Sequence, residues 1–168
     1  MSKDDRLDVA IMMGSKSDLG TMKPAADVLT GLGLVVEIRV LSAHRTPEET
    51  AAFVKDAGRR GVKAFICGAG GAAHLAGAVA AHTLRPVIGV PVPGGTLGGL
   101  DSLLSTVQMP PGMPVATVAI GGAENAGLLA AQIIALSDPA LATKVEAERA
   151  TRRKKVLDSD AEVRGGHA

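Results

Sequence analysis

Short β-branched apolar runs alternate along this chain with Ala-rich stretches in which apolar residues recur every three or four positions. The runs predict strands at Val9–Met13, Val35–Val40, Ala64–Cys67, Val87–Val90 and Val115–Ile120. Between the first two, Leu19, Met22, Ala25, Ala26, Leu29 and Leu32 fall at helical spacing, with Gly31 or Gly33 as the stop. Pro24 lies inside that helix and costs it a backbone bond, so a kink or a late restart capped by Thr21 is expected. Further helices are predicted at Pro47–Arg60, Ala72–Ala81 and Glu124–Leu136, and Pro139 sets off a charged helix over Leu141–Val156. Strands alternating with helices are the signature of βαβ units, hence an α/β fold around a parallel sheet. One domain is expected over residues 1–156. Residues 157–168 are polar and Gly-containing and read as a disordered tail, in which His167 has no expected role. The segment Pro93–Pro114 is long for a connection in so compact a domain, which points to a lid or a subunit contact. Within it, Leu100–Leu104 reads as a short helix capped by Asp101.

Composition narrows the function classes. With 46% hydrophobic residues in 168, the chain fills one core and not two. Eighteen Lys and Arg against seventeen Asp and Glu leave a net charge of +1, and the basic cluster Arg149, Arg152, Arg153, Lys154 and Lys155 reads as the solvated face of a terminal helix. The only aromatic residues among Phe, Trp and Tyr are Phe53 and Phe65, so base stacking is unavailable and nucleic acid is not an expected partner. Cys67 is the single cysteine and sits in an apolar run, which rules out an internal disulfide or a cysteine metal knot and predicts a buried, inert thiol. Gly and Pro interrupt every apolar run before it reaches spanning length, and the charged start MSKDDRLD does not resemble a leader, so no membrane association and a cytoplasmic location are expected.

Candidate chemistry concentrates where predicted strands end. Ser42-Ala43-His44-Arg45-Thr46-Pro47 joins a strand to a helix start in which Thr46 reads as N-cap, Pro47 as first helical residue and Glu49 as the return half of a capping box. This puts the titratable imidazole of His44 and the permanent cation of Arg45 at a strand's carboxyl end, where open α/β sheets build their sites. Gly14-Ser15-Lys16-Ser17-Asp18 is a hydroxyl-dense turn opening a helix. Its backbone N–H groups and serines suit a phosphate and Asp18 suits sugar hydroxyls, while a plain helix cap by Ser17 or Asp18 fits the turn equally well. The G-K-[ST] ending of a Walker loop is missing. Gly68-Ala69-Gly70-Gly71-Ala72-Ala73-His74 superficially fits a dinucleotide pattern but lacks the acidic residue expected about twenty positions on. These glycines instead allow close backbone approach to a small ligand. His74 is placed either to donate to that ligand or to cap a helix start, and His82, late in a helix, reads as structural.

Five ordered motifs carry a resemblance over roughly residues 8–136: Gly14-Ser15-x-Ser17-Asp18, Ser42–Pro47, Gly68–Leu75, Pro86–Pro91 and Asp101–Pro110. The chain resembles the aminoimidazole ribonucleotide carboxylase family in its class I form, the N5-carboxyaminoimidazole ribonucleotide mutases. The resemblance implies a flavodoxin-like three-layer αβα sandwich with a central parallel sheet and a C-terminal helix. It also implies a homo-octamer with sites shared between neighbouring subunits, and a cofactor-free, metal-free isomerase of purine synthesis that moves a carboxylate from N5 to C4 of an imidazole. By motif position, His44 would be the general acid/base. Ser15, Asp18 and Arg45, helped by Ser17 and Ser42, would bind ribose and phosphate, and Gly70, Gly71, Ala72, His74 and Leu75 would line the imidazole and carboxylate side. Ala76-Gly77-Ala78 stands where the family usually has Pro-Gly-Met, and Glu124 is unusual. The rivals are the class II enzyme, which carboxylates aminoimidazole ribonucleotide with CO2, and a phosphate or nucleotide sensor without catalysis, which would leave His44 unexplained.

Overall fold

The structure is a computed structural model and describes residues 6–166. Five parallel strands form one sheet in the order β2-β1-β3-β4-β5: β1 (Val9–Met13), β2 (Val36–Val40), β3 (Ala64–Ala69), β4 (Val87–Pro91) and β5 (Ala116–Thr117). This is the doubly wound order of flavodoxin-like folds, with its reversal point between β1 and β3. The helices are α1 (Leu19–Gly31), α2 (Pro47–Arg59), α3 (Leu75–Ala80), α4 (Leu100–Val107), α5 (Ala123–Ala135) and α6 (Pro139–Gly165).

Alternation along the strands builds the layers. Val9, Ile11 and Met13 of β1 join Ile66, Ile88 and Val90 under α1, α5 and α6, while Ala10 and Met12 join Phe65, Cys67 and Val87 under α2 and α3. Both faces of a parallel sheet must be covered, which is why β1, β3 and β4 are buried nearly end to end. Close approach of α1 and α5 depends on Gly127, where a Cβ would lie 2.9 Å from the Ala25 carbonyl oxygen.

The elements follow the hydrophobic pattern, with departures that have local causes. α1 is continuous through Pro24 without a restart at Thr21, and since Gly20 and Pro24 face solvent, the carbonyl that the proline leaves unbonded stays wet. The capping box at α2 does not form. Thr46 Oγ1 instead accepts from the Ser42 N–H at 2.8 Å and lies 3.0 Å from the Ser42 carbonyl, so it braces the preceding turn. α3 begins at Leu75 and not Ala72, since Gly71 at φ +59° and the tight bonds Ala73 N–H to Gly71 O and His74 N–H to Ala72 O hold a non-helical turn. β5 shrinks to two residues, paired only as Ile88↔Ala116 and Gly89↔Thr117. α4 is capped by Gly99 at φ +98° and not by Asp101.

The largest departure is at the end, where α6 continues to Gly165 through the segment expected to be disordered. Residues 151–166 are exposed, and the spaced pairs Glu148–Arg152, Lys154–Asp158 and Asp160–Arg164 support the helix locally. Arg152 also reaches Glu124 at 2.7 Å, which ties α6 to the start of α5 and gives that glutamate a structural task. His167 lies outside the described residues. Among the described residues, no helix is long and apolar enough to cross a membrane.

Candidate active site

A cavity of about 390 Å³ opens at the carboxyl ends of β1, β2 and β3, at the point where the strand order reverses. Three segments line it: Gly14, Ser15 and Asp18 after β1, Ser42 to Arg45 after β2, and Ala69, Gly70, Ala72, His74 and Leu75 after β3. β1 and β3 are buried and β2 is the sheet's edge strand, and all three strand ends are fixed by pairing in the sheet, so rigid elements deliver short polar loops to one place.

The first loop begins with a single 3-10 turn, Lys16–Asp18, which Ser15 caps by accepting from the Ser17 N–H at 3.3 Å. The Ser17 hydroxyl lies 2.8 Å from Ser15 Oγ and 3.1 Å from Asp18 Oδ1. Neither Ser17 nor Asp18 caps α1 through its side chain, which leaves the Asp18 carboxylate at the cavity wall. The second loop is anchored across the sheet. Arg45 Nη2 donates to the Gly14 carbonyl at 2.7 Å and its Nε to Ser42 Oγ at 3.4 Å, leaving other N–H groups of the guanidinium fork open to the cavity.

His44 and His74 meet over the cavity. Nε2 of His44 lies 2.8 Å from Nδ1 of His74, with the rings edge to face at a centroid distance of 4.9 Å and an interplanar angle of 84°. At that distance one nitrogen donates and the other accepts, so a single proton sits between two exposed imidazoles. The contact joins the second loop to the third through residues 30 positions apart. A cap role for His74 is not seen: it occupies the N-cap position of α3 but makes no side-chain cap bond.

Most of the predicted site residues therefore converge on one cavity. Ser17 and Gly71 do not line it: Ser17 acts on its neighbours, and the Gly71 carbonyl accepts from Ser105 Oγ at 3.0 Å. Two contributors are not among the residues predicted from the sequence: the Gly14 carbonyl, which anchors Arg45, and Ser105 of α4, whose hydroxyl also accepts the Ala73 N–H at 3.0 Å. The i, i+3, i+4 spacing of Ser102, Ser105 and Thr106 on one helical face was the signal available for the latter. His82 is exposed in the turn after α3, at a separate surface hollow. Cys67 is fully buried in β3 and its thiol is pushed up by that burial, which removes it from the chemistry as expected. Among the described residues, no group of His, Cys, Asp and Glu is arranged to hold a metal ion.

Comparison with known proteins places this arrangement in context. The AIR carboxylase family model matches residues 8–155. Proteins named N5-carboxyaminoimidazole ribonucleotide mutase are similar at high coverage. The one from Vibrio cholerae is 56% identical over 153 residues, covering 90% of this chain and 95% of its own. Those from Thermotoga maritima and Bacillus subtilis are 53% identical, covering 89% and 92% of this chain and 88% and 97% of their own. The crystal structure of Treponema denticola PurE superposes with a TM-score of 0.85 at 32% identity, covering 94% of this chain and 98% of that one.

Proposed function

The chain belongs to the AIR carboxylase family, and from that premise we propose that it is an isomerase converting N5-carboxyaminoimidazole ribonucleotide to its C4-carboxylated isomer in purine biosynthesis. The observation that carries the reading is the His44–His74 pair set beside Arg45 at the sheet's reversal point. Identities of 53–56% over most of the chain to proteins named as mutases favour this activity over direct carboxylation of aminoimidazole ribonucleotide.

The residues supply what such a reaction needs. Arg45, with Ser15 and Ser42 beside it, offers charge-assisted donors to a phosphate, and Asp18 offers acceptors to ribose hydroxyls. That anchorage fixes the imidazole ring against His44, converting a wandering reactant into a positioned one. The N5–carboxylate bond breaks, N5 takes a proton from His44, and the released CO2 stays in the cavity. C4 then attacks the CO2, and His44, now neutral, removes the C4 proton. Protons and electrons balance with no added reactant, and an imidazole runs both directions because its ordinary pKa lies near the working pH. The hydrogen bond between the rings couples the tautomer of His44 to that of His74 and fixes the ring orientation of His44. The backbone of Gly70 and Ala72 lines the carboxylate side without presenting a competing base.

The same reading extends to assembly and location: a homo-octamer in the cytoplasm. Uncovered apolar side chains support assembly, with Leu100, Leu104 and Val107 about half exposed along α4 and Ile38 and Val40 exposed on the edge strand β2. Light scattering checks it, with an eightfold mass expected and a monomer overturning it.

The deciding experiment compares turnover of N5-carboxyaminoimidazole ribonucleotide with turnover of aminoimidazole ribonucleotide plus bicarbonate, for wild-type and His44→Asn protein. Preference for the first substrate, lost in the variant, is expected. Preference for the second moves the chain to the direct carboxylases, and activity on neither makes it a binding protein.

A further inference from the structure

We propose that Ser105 is a positioning residue of this site: from α4 it holds the Gly71–Ala73 turn, and through that turn it sets His74 against His44. The inference rests on the mutase reading only for its kinetic consequence, since the geometric claim stands without a substrate.

Three hydroxyls line the inner face of α4, and two of them fasten the helix itself. Ser102 is fully buried, its Oγ 2.9 Å from the Val92 carbonyl and 2.7 Å from that of Gly99. Thr106 lies 2.7 Å from the Ser102 carbonyl, and its γ-methyl fills the hollow left by Gly89 of β4, where any Cβ would collide with it. α4 is thereby fixed to the sheet before it reaches the loop. Ser105 is the third hydroxyl, and it points at the turn. It accepts the Ala73 N–H at 3.0 Å and lies 3.0 Å from the Gly71 carbonyl and 2.7 Å from that of Asp101. A hydroxyl has one proton to give, so it ties the Ala73 amide to one of those two carbonyls.

What it ties is the backbone immediately before His74. Gly71 stands at φ +59°, and beside its own short-range bonds, Ala73 N–H to Gly71 O and His74 N–H to Ala72 O at 2.9 Å each, the turn is met from α4 by Ser105 and, at a longer 3.5 Å, by Thr106 Oγ1 on the Ala73 carbonyl. Bonds within the turn do not set its height over the sheet, and the shortest hydrogen bonds that do so come from Ser105. The Ser105 clasp from a helix already bolted to β4 supplies it, and the 2.8 Å contact between the two imidazoles depends on that height. Ser105 does not line the cavity, so it acts through the loop and not on a ligand.

The test uses the full-length, ligand-free protein first. Amide hydrogen exchange over residues 71–74 is expected to speed up at least tenfold in Ser105→Ala while exchange in β1 and β3 stays at the wild-type rate. Ser105→Thr, which keeps the hydroxyl, restores the slow exchange. In turnover, Ser105→Ala lowers kcat by about 10- to 100-fold, as misplacement of a reacting group does, with KM within about twofold, and Ser105→Thr recovers most of it. Should the alanine variant fold poorly, Ser105→Cys keeps the volume but hydrogen-bonds weakly, and the same loosening at 71–74 is expected. Wild-type exchange at 71–74 in the alanine or cysteine variant overturns the proposal whatever the substrate is. Loosened exchange with unchanged kcat on an active enzyme leaves Ser105 a structural residue and overturns its positioning role. A wild-type protein without mutase turnover, with the exchange effect present in the variants, counts against the mutase reading and not against the clasp.

Discussion

The two ends of β1 carry polar groups treated in opposite ways. At the amino end, Asp8 is 1% exposed and fully engaged: Arg6 donates to it through Nε at 3.1 Å and Nη2 at 2.9 Å, the Val35 N–H through 2.9 Å, and Lys63 lies 3.3 Å away. At the carboxyl end, Gly14, Ser15 and Asp18 face a cavity with His44 and Arg45, and their polar atoms are only partly satisfied. A buried charge must be paired or it unfolds the chain, while a site must keep donors and acceptors in reserve for a ligand. One strand thus anchors β2 and β3 at its start and offers reactive loops at its finish, and each end can be broken without the other.

Breaking the carboxyl end gives the largest expected effect. His44→Asn removes the proton carrier, and turnover falls by about 10³-fold or more, within the range that general acid/base groups supply. Because His44 is exposed and its bonds lie within the site, the melting temperature stays within about 2 °C of wild type. Calorimetry beside a turnover assay checks both halves. A large loss of stability in this variant would end the separation between the two ends.

Asp8→Ala is the mirror experiment. It leaves the Val35 N–H without its acceptor and Arg6 and Lys63 without their shared anion. The expected cost is about 2–3 kcal/mol in urea unfolding, at the lower end for a broken buried pair because both cations are half exposed. Turnover per folded molecule should match wild type. A variant that folds normally would show that Asp8 merely decorates the sheet edge.

Arg45→Ala comes next. Losing charge-assisted donors to a phosphate raises KM by about 10- to 100-fold, with a smaller change in kcat. Its bond to the Gly14 carbonyl is local to the site, so stability drops by less than about 1 kcal/mol. Isothermal titration with the phosphorylated substrate reads the affinity directly, and unchanged affinity removes Arg45 from phosphate binding.

How far this division was legible in the sequence follows from the range of the interactions. Strand positions, the parallel α/β class and the placing of His44 and Arg45 at a strand end came from local signals, β-branched runs, glycines and caps, while the grouping of Ser15 and His74 with them came from the family resemblance. What escaped was set by partners distant in sequence. Thr46 looks like a helix cap but is drawn back onto Ser42, Ser105 looks like an ordinary helix residue but clasps a loop 32 positions earlier, and Arg45 leans on a carbonyl 31 positions away. The polar end of the chain reads as disordered by composition, yet its charges are spaced for pairs one helical turn apart and the helix continues. Asp8 itself gave no signal, since a charged residue before an apolar strand reads as solvated.

The smallest predicted effect is a dependence on acid that belongs to the amino end alone. Burial by itself would raise the Asp8 carboxyl, but the Val35 N–H, Arg6 and Lys63 outweigh it and hold the group below its ordinary value of 3.8. A carboxyl lowered on folding stabilises the folded chain in its ionised form. Its contribution is therefore complete above the ordinary value and is lost as pH falls through the lower, folded one. The stability gap between wild type and Asp8→Asn should thus be constant from about pH 5 upward and narrow only below about pH 4. Urea midpoints from pH 3 to 7 measure it. A gap that closes instead near pH 6 would point to a histidine, and would move the pH sensitivity from the start of β1 to its finish.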